Sequence, residues 1–201
     1  MKFYITHYTP LTERKQHIIS SLQNANITDY EFIESYDRDI LTQNDIKKFS
    51  NITRSEISLF LKHVDIFKKG NDDAIVVLED DAVLVDNFKE KLENYMKISK
   101  SFDYDIIVPG ECCNLHANNI TPNQIFYRDY SVFGRGTCMY ILNKSVCKKL
   151  YDIYNSESII VKPVDHWLSD MMRKYNLIMY WTEPTLVFQG SQNGKFKSAV
   201  R

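Results

Sequence analysis

Glu79, Asp80 and Asp81 stand side by side in AIVVLEDDAVLV, residues 74–85, with an apolar run on either side. Three adjacent carboxylates repel one another, so a chain that keeps them together must supply a cation, backbone amides or water to hold them. A solvated turn or a helix-capping cluster would account for the letters alone. A tight turn, however, calls for Gly, Pro or Asn, and here a strand-like run leads straight into the acids. With a divalent cation on one or two of them, several negative groups can converge on a diphosphate.

Other positions carry chemistry of a compatible kind. Arg14 falls in the first turn of an expected helix, where the dipole disfavours a cation unless an anion is bound there too. A phosphate would reconcile the two; a solvated arginine is the plainer alternative. Glu56 lies three residues after Thr53, as the acidic half of a T-x-x-E capping box. It also lies seven before His63, two helical turns or roughly 10 Å away on one face. The two could look into one cleft, or one could cap a helix while the other fills a core. Asp165 and His166 open a helix at Pro163, where an acid is favoured as a dipole partner. As a general base, Asp165 could take the proton of an attacking hydroxyl. Trp167 and Trp181 could stack on a sugar face or pack in a core. Gly134-Arg135-Gly136-Thr137 is too brief for a phosphate loop, yet could let backbone approach a ligand.

The elements that must position these groups are legible from periodicity. FYITHY (3–8) predicts a strand, and Thr9-Pro10 the start of a helix carrying Leu11, Ile18, Ile19 and Leu22. A strand is expected over 30–36, then a helix over 53–68 with Ile57, Phe60, Leu61, Val64 and Phe67 as one apolar stripe. AIVVL (74–78) shows no alternation, as expected of a central parallel strand covered on both faces, and Asp86 starts a helix with Phe88, Leu92 and Tyr95. A strand over 104–110 is followed by loops or an edge hairpin around IFYRDY within 111–136, then a strand over 137–142. Asn143 caps a helix through about 154, Pro163 opens another with Val164, Trp167, Leu168, Met171 and Tyr175 on one face, and a strand spans 177–181. Strands alternating with helices place the chain in the α/β class: a mostly parallel Rossmann-like sheet with helices on both faces, in a single domain over 1–201. In such sheets ligands bind beyond the carboxyl ends of the strands, where the acidic block stands.

Bulk properties agree. The 201 residues, 44% hydrophobic and 13% aromatic, can bury one sizeable core. With 25 basic and 26 acidic residues the net charge is −1, so no global attraction to nucleic acid or an anionic membrane is expected and an anionic substrate must be caught locally. The opening MKFYITHYTP is too short in apolar residues for a signal peptide, and no stretch is apolar enough for a membrane span, so a cytoplasmic protein is expected. Cys112, Cys113, Cys138 and Cys147 lack metal-site spacing and read as free thiols.

The order of the segments resembles glycosyltransferase family 25, which includes bacterial lipopolysaccharide and lipooligosaccharide sugar transferases and collagen galactosyltransferase domains. YITHYTPLTERKQHI is similar to the family's opening strand and Arg-containing helix, RSEISLFLKHVDIFKK to its Glu-to-His helix, and AIVVLEDDAVLVDNF to its acidic strand end. FGRGTCMYILNKSVCKKL, VKPVDHWL and EPTLVFQGS resemble its later strand-helix, Pro-Val-Asp and Pro-to-Gln segments. Thr6 stands where the family commonly has Asn, and Lys62 where Ser commonly precedes the helix histidine.

The resemblance implies a GT-A-type fold, a UDP-sugar donor, a divalent metal such as manganese, and inverting chemistry. We therefore expect a hexosyltransferase moving galactose or glucose to a hydroxyl of a glycan or a glycosylated, including a collagen-like, protein. Asp81 and Asp80 are expected to bind metal and nucleotide, with Glu79 in support. Arg14 should contact phosphate or uridine, and Thr6, Glu56, His63, Arg135 and Gly136 should line the donor pocket. Asp165 is the expected base, with His166, Trp167 and Gln189 towards the acceptor. A non-catalytic nucleotide- or glycan-binding domain and a metal-dependent phosphohydrolase or nucleotidyltransferase are the alternatives. A homo-oligomer is left open.

Overall fold

A sheet buried on both faces needs strands whose odd and even residues are alike apolar, and this chain supplies several. In the computed structural model, which describes residues 1–128 and 134–199, the elements in chain order are β1 (Lys2–Thr6), α1 (Thr12–Asn24), β2 (Tyr30–Ile33), α2 (Gln43–Ile46), α3 (Arg54–Lys69), β3 (Ala74–Glu79), β4 (Ala82–Leu84), α4 (Phe88–Ser99), β5 (Ile106–Val108), β6 (Gly110–Glu111), β7 (Phe126–Arg128), β8 (Met139–Asn143), α5 (Lys144–Ser156), α6 (Val164–Lys174), β9 (Met179–Thr182) and β10 (Val187–Gln189). The main sheet has the order β2-β1-β3-β8-β5-β9-β7, and β4-β10-β6 form a small second sheet.

Each central strand feeds two cores. Ile75 and Val77 of β3 join Tyr4, Tyr140 and Leu142 on one face, under Phe60 and Phe67 of α3, Leu150 of α5 and Trp167 of α6. Val76 and Leu78 join Phe3, Ile5 and Ile141 on the other, under Ile18 and Leu22 of α1 and Phe88 and Leu92 of α4. The lack of alternation in AIVVL has this as its cause. The mostly parallel α/β sheet with helices on both faces is therefore present.

The sheet is mixed at its centre. β1 pairs in parallel with both β2 and β3, and β5 with β9, but β8 runs antiparallel between β3 and β5, and β7 antiparallel on β9. β3 thus has one parallel and one antiparallel neighbour, where a wholly parallel setting was expected. The reversal has a local effect: the start of β8, not its end, meets the end of β3, and the Glu79 amide donates to the Cys138 carbonyl at 3.1 Å.

The helix over 54–69 forms with its capping box intact, the Thr53 hydroxyl and amide both donating to Glu56 Oε2. Other boundaries move. Thr9-Pro10 does not cap α1, whose first turn follows Leu11; the Thr9 hydroxyl and amide donate instead to Asp37. α4 begins at Phe88 rather than Asp86, behind Asn87 in the left-handed conformation. The 104–110 segment divides at Pro109, β5 staying in the main sheet and β6 joining the small one. Of the expected IFYRDY hairpin, β7 is present, and residues 129–130 lie outside the described residues. The capping box of α2, Thr42 with Asp45, and the strand β10 in the tail were not foreseen. Among the described residues no helix is long and apolar enough to cross a membrane.

β6 packs so closely on β8 that a Cβ at Gly110 would lie 2.6 Å from Cys138 Sγ and 2.8 Å from the Met139 amide nitrogen. Backbone cannot give way as a side-chain tip does. Gly110→Ala is expected to lower stability by about 1–3 kcal/mol, read as a lower urea midpoint at unchanged slope.

Candidate active site

The parallel register pairs Thr6 with Glu79, so β1 and β3 end level and the residues after them, His7 and Asp80–Asp81, emerge together. Each acid there has a different partner. Asp80 Oδ1 accepts from Arg14 Nη1 at 2.9 Å, and Asp80 Oδ2 lies 2.8 Å from His7 Nδ1. An ionised carboxylate can only accept, so His7 carries its proton on Nδ1 and leaves Nε2 over, buried and without a hydrogen-bond partner among the described residues. Asp81 Oδ2 accepts from the Ser191 amide at 3.1 Å and lies 3.7 Å from Arg14 Nη1. Its Oδ1 is buried with no partner among the described residues. Glu79 Oε1 accepts from the Thr137 hydroxyl at 2.5 Å.

The electrostatics follow from removal of these groups from water. Desolvation first, then the Asp81 charge, pushes the half-buried Glu79 carboxyl up to about 8. Burial likewise raises Asp81, against the lowering effect of Ser191 and Arg14. Protein groups sit against both Asp80 oxygens, and the carboxylate atom without a partner among the described residues is Asp81 Oδ1. Among the described residues no three His, Cys, Asp or Glu side chains form a ready metal cage. A divalent ion that binds through one or two carboxylates and substrate phosphates needs no such cage. The orphaned Asp81 oxygen beside a carboxyl that resists ionisation fits an ion of that kind.

Two clefts meet at Glu79. A narrow one of about 60 Å³ includes Thr6, His7, Arg14, Arg38, Lys62 and Asp80 in its lining. Lys62 is buried there, its amine donating to Asp37 Oδ1 and the Ser35 carbonyl, each at 2.7 Å. A wide cleft of about 530 Å³ brings together Glu56, Gly136, Thr137, Asp165, His166 and Gln189. Asp165 stands in the first turn of α6, where Oδ1 accepts from the His166 amide at 2.8 Å. Gly136, at φ +77°, lies where a Cβ would come 3.0 Å from Cys112 Cβ, so this wall of the wide cleft requires glycine.

Three expected site residues lie elsewhere. His63 is fully buried, with Nδ1 2.5 Å from the Tyr140 hydroxyl and its ring stacked on Tyr140 at 5.6 Å. Two turns from Glu56 along α3 leads down into the core rather than along the cleft. Trp167 packs edge-on against Phe60 at 5.2 Å, within the same core. Arg135 is turned inward, donating to the Thr182 carbonyl at 2.9 Å, paired with Glu183, and lying 4.5 Å over the Trp181 ring. His7, Lys62, Thr137 and Ser191 are the site groups whose roles the sequence did not disclose, although Lys62 and Thr137 were already singled out by position. His7 had one usable signal: it falls near the carboxyl end of the strand expected over 3–8, where ligands bind in such sheets.

The family model described as glycosyltransferase family 25 (LPS biosynthesis protein) matches residues 1–168. No curated protein sequence matches the chain. The inositol-1-phosphate CTP transferase from T. maritima is similar in fold, with a TM-score of 0.51 and 13% identity over 100% of this chain and 93% of that one. A197 from STIV gives a TM-score of 0.48 at 12% identity, covering 90% of this chain and 81% of that one. A glucose-1-phosphate thymidylyltransferase from Bacillus anthracis gives 0.47 at 13%, covering 90% and 85%.

The misplaced histidine yields a measurable expectation. Burial lowers His63 from 6.5 to about 3, so between those values the unfolded chain takes up a proton that the folded one refuses. Its contribution is complete above 6.5 and is lost as the pH falls towards 3, by up to about 1.4 kcal/mol per pH unit. His63→Phe should make stability against pH shallower by one proton in that window, whatever its effect at neutrality. Identical slopes for both proteins in urea titrations would contradict the buried placement.

Proposed function

The chain belongs to glycosyltransferase family 25, and on that premise we propose that it moves a hexose, galactose or glucose, from a UDP-sugar to a hydroxyl of a glycan or glycosylated protein. The observation that carries this reading is the meeting of two unlike clefts at Glu79. The narrow one, at the carboxyl ends of β1 and β3, offers the guanidinium of Arg14 to an anionic leaving group. The wide one offers the half-buried Asp165 carboxylate to an acceptor. The family's description, LPS biosynthesis, makes a lipopolysaccharide saccharide the first acceptor to try.

In the proposed reaction the acceptor oxygen bonds to the anomeric carbon as that carbon's bond to the diphosphate breaks. Asp165 accepts the hydroxyl proton in the same step. A lone carboxylate in the wide cleft's α6 wall suits a single displacement with inversion. A divalent cation, manganese among the candidates, would be held through Asp81, with Glu79 in support once it releases its proton, and when bound would supply positive charge for the departing diphosphate. Asp80 fixes Arg14 and His7 behind them. Glu56 and Gln189 shape the wide cleft, and Thr6 lines the narrow one.

Screening nucleotide sugars for manganese-dependent UDP release, then adding saccharide acceptors to the hit, tests the reaction directly. Asp81→Ala should abolish metal-dependent UDP binding with the fold intact. Asp165→Ala should leave UDP binding unchanged and reduce transfer by about 10²–10⁴-fold. Wild-type transfer by both variants, or nucleotide cleavage indifferent to any acceptor, would defeat the proposal.

A further inference from the structure

The narrow cleft is too small for what it is proposed to hold. Pockets for small-molecule ligands run to about 300–1,000 Å³, and this one measures about 60 Å³. Part of its wall is the chain's own C-terminal segment, through Ala199. After β10 the backbone turns at Gly190, pinched where a Cβ would lie 2.6 Å from the Asp81 carbonyl and 2.7 Å from the Phe196 ring. The Phe196 amide donates to the Gly190 carbonyl at 3.0 Å, and its ring lies 5.2 Å from that of His17 and 5.4 Å from the Arg14 guanidinium carbon. From there the next residues cross the cleft.

Both guanidinium groups at the cleft meet main-chain oxygens of this crossing. Arg14 Nη2 donates to the Lys197 carbonyl, and Arg38 Nη1 to the Ala199 carbonyl at 2.8 Å. Arg38 is held for the purpose by the Ser55 hydroxyl, 3.2 Å from Nη1, and by the Tyr8 ring, whose centroid is 4.3 Å from its guanidinium carbon. A neutral carbonyl is a poor match for a planar cationic fork that suits phosphate oxygens in pairs. His7 Nε2, in the same lining, is buried without a partner among the described residues. The cleft thus presents donors answered only in part and a polar nitrogen answered not at all.

We propose that Arg38 and Arg14 are the two jaws of a clamp for the diphosphate of a nucleoside diphosphate, and that residues 196–199 are a strap whose carbonyls hold the clamp until the donor displaces them. This deepens the donor-site reading of the preceding subsection and rests on it. A competing strap weakens apparent affinity by the fraction of molecules that are open. Loosening it therefore tightens binding, whereas a strap that closed over a bound nucleotide would do the opposite.

Calorimetric titration of the full chain with UDP, with and without manganese, and with inorganic pyrophosphate, tests both halves. Phe196→Ala removes the ring that anchors the strap and should lower the UDP dissociation constant by roughly threefold or more. With the strap already loosened by Phe196→Ala, adding Arg38→Ala should raise that constant by about tenfold, and Arg38→Lys in the same background should recover little of that loss. Trypsin should cut wild-type protein after Lys195 and Lys197 faster when UDP is present. Weaker UDP binding by Phe196→Ala, or slower cutting with UDP, overturns the strap; an unchanged constant when Arg38→Ala is added to folded Phe196→Ala overturns the clamp. Pyrophosphate binding that depends on Arg38, with no preference for UDP, upholds the clamp and defeats the nucleotide-sugar reading.

Discussion

Asp80 lies within hydrogen-bond reach of both Arg14 and His7, and that contact joins α1, the end of β1 and the end of β3 around a charge that none of them could bury alone. Removing one partner of such a buried set leaves an uncompensated charge and costs about 3–5 kcal/mol. The hydrophobic layers could tolerate many substitutions of similar volume. The polar contact admits few, because it must bring a guanidinium, an imidazole and a carboxylate together at one point. The level ends of β1 and β3 and the position of the first turn of α1 are what bring the three groups to that point.

The two departures from a simple parallel sheet serve the same end. Because β8 runs antiparallel, its first residues reach Glu79 and the Thr137 hydroxyl meets that carboxyl. Because β10 pairs with β4, the Ser191 amide reaches Asp81. Three neighbouring acids thereby acquire three different surroundings: a cation with an imidazole for Asp80, a backbone amide for Asp81, and a hydroxyl for Glu79. Repulsion is relieved by dividing the charge.

Much of the frame was legible because local and global preferences coincide in it. The unbroken apolar run of β3 and the capping box of α3 each have one cheap structural solution, and the acids stand at the strand end as expected. Boundaries failed where a side chain had a better offer than its local role: Thr9 bonds to Asp37 instead of capping α1. His63, Trp167 and Arg135 were misread for a common reason. Their types suit chemistry, but helix spacing and inward rotamers commit them to the core, and a sequence shows spacing without depth. His7, Thr137 and Ser191 escaped because their use depends on strands far apart in the chain, and strand order is set by the whole sheet.

Glu56 closes α3 with one carboxylate oxygen, Oε2, and forms part of the wide cleft's wall. Helix capping and cleft lining therefore draw on a single functional group. An alteration at this position that reshaped the wide cleft would also fray the opening turn that carries Ser55, whose hydroxyl accepts from Arg38 at the narrow one. The shapes of the two clefts are thus mechanically linked through one side chain.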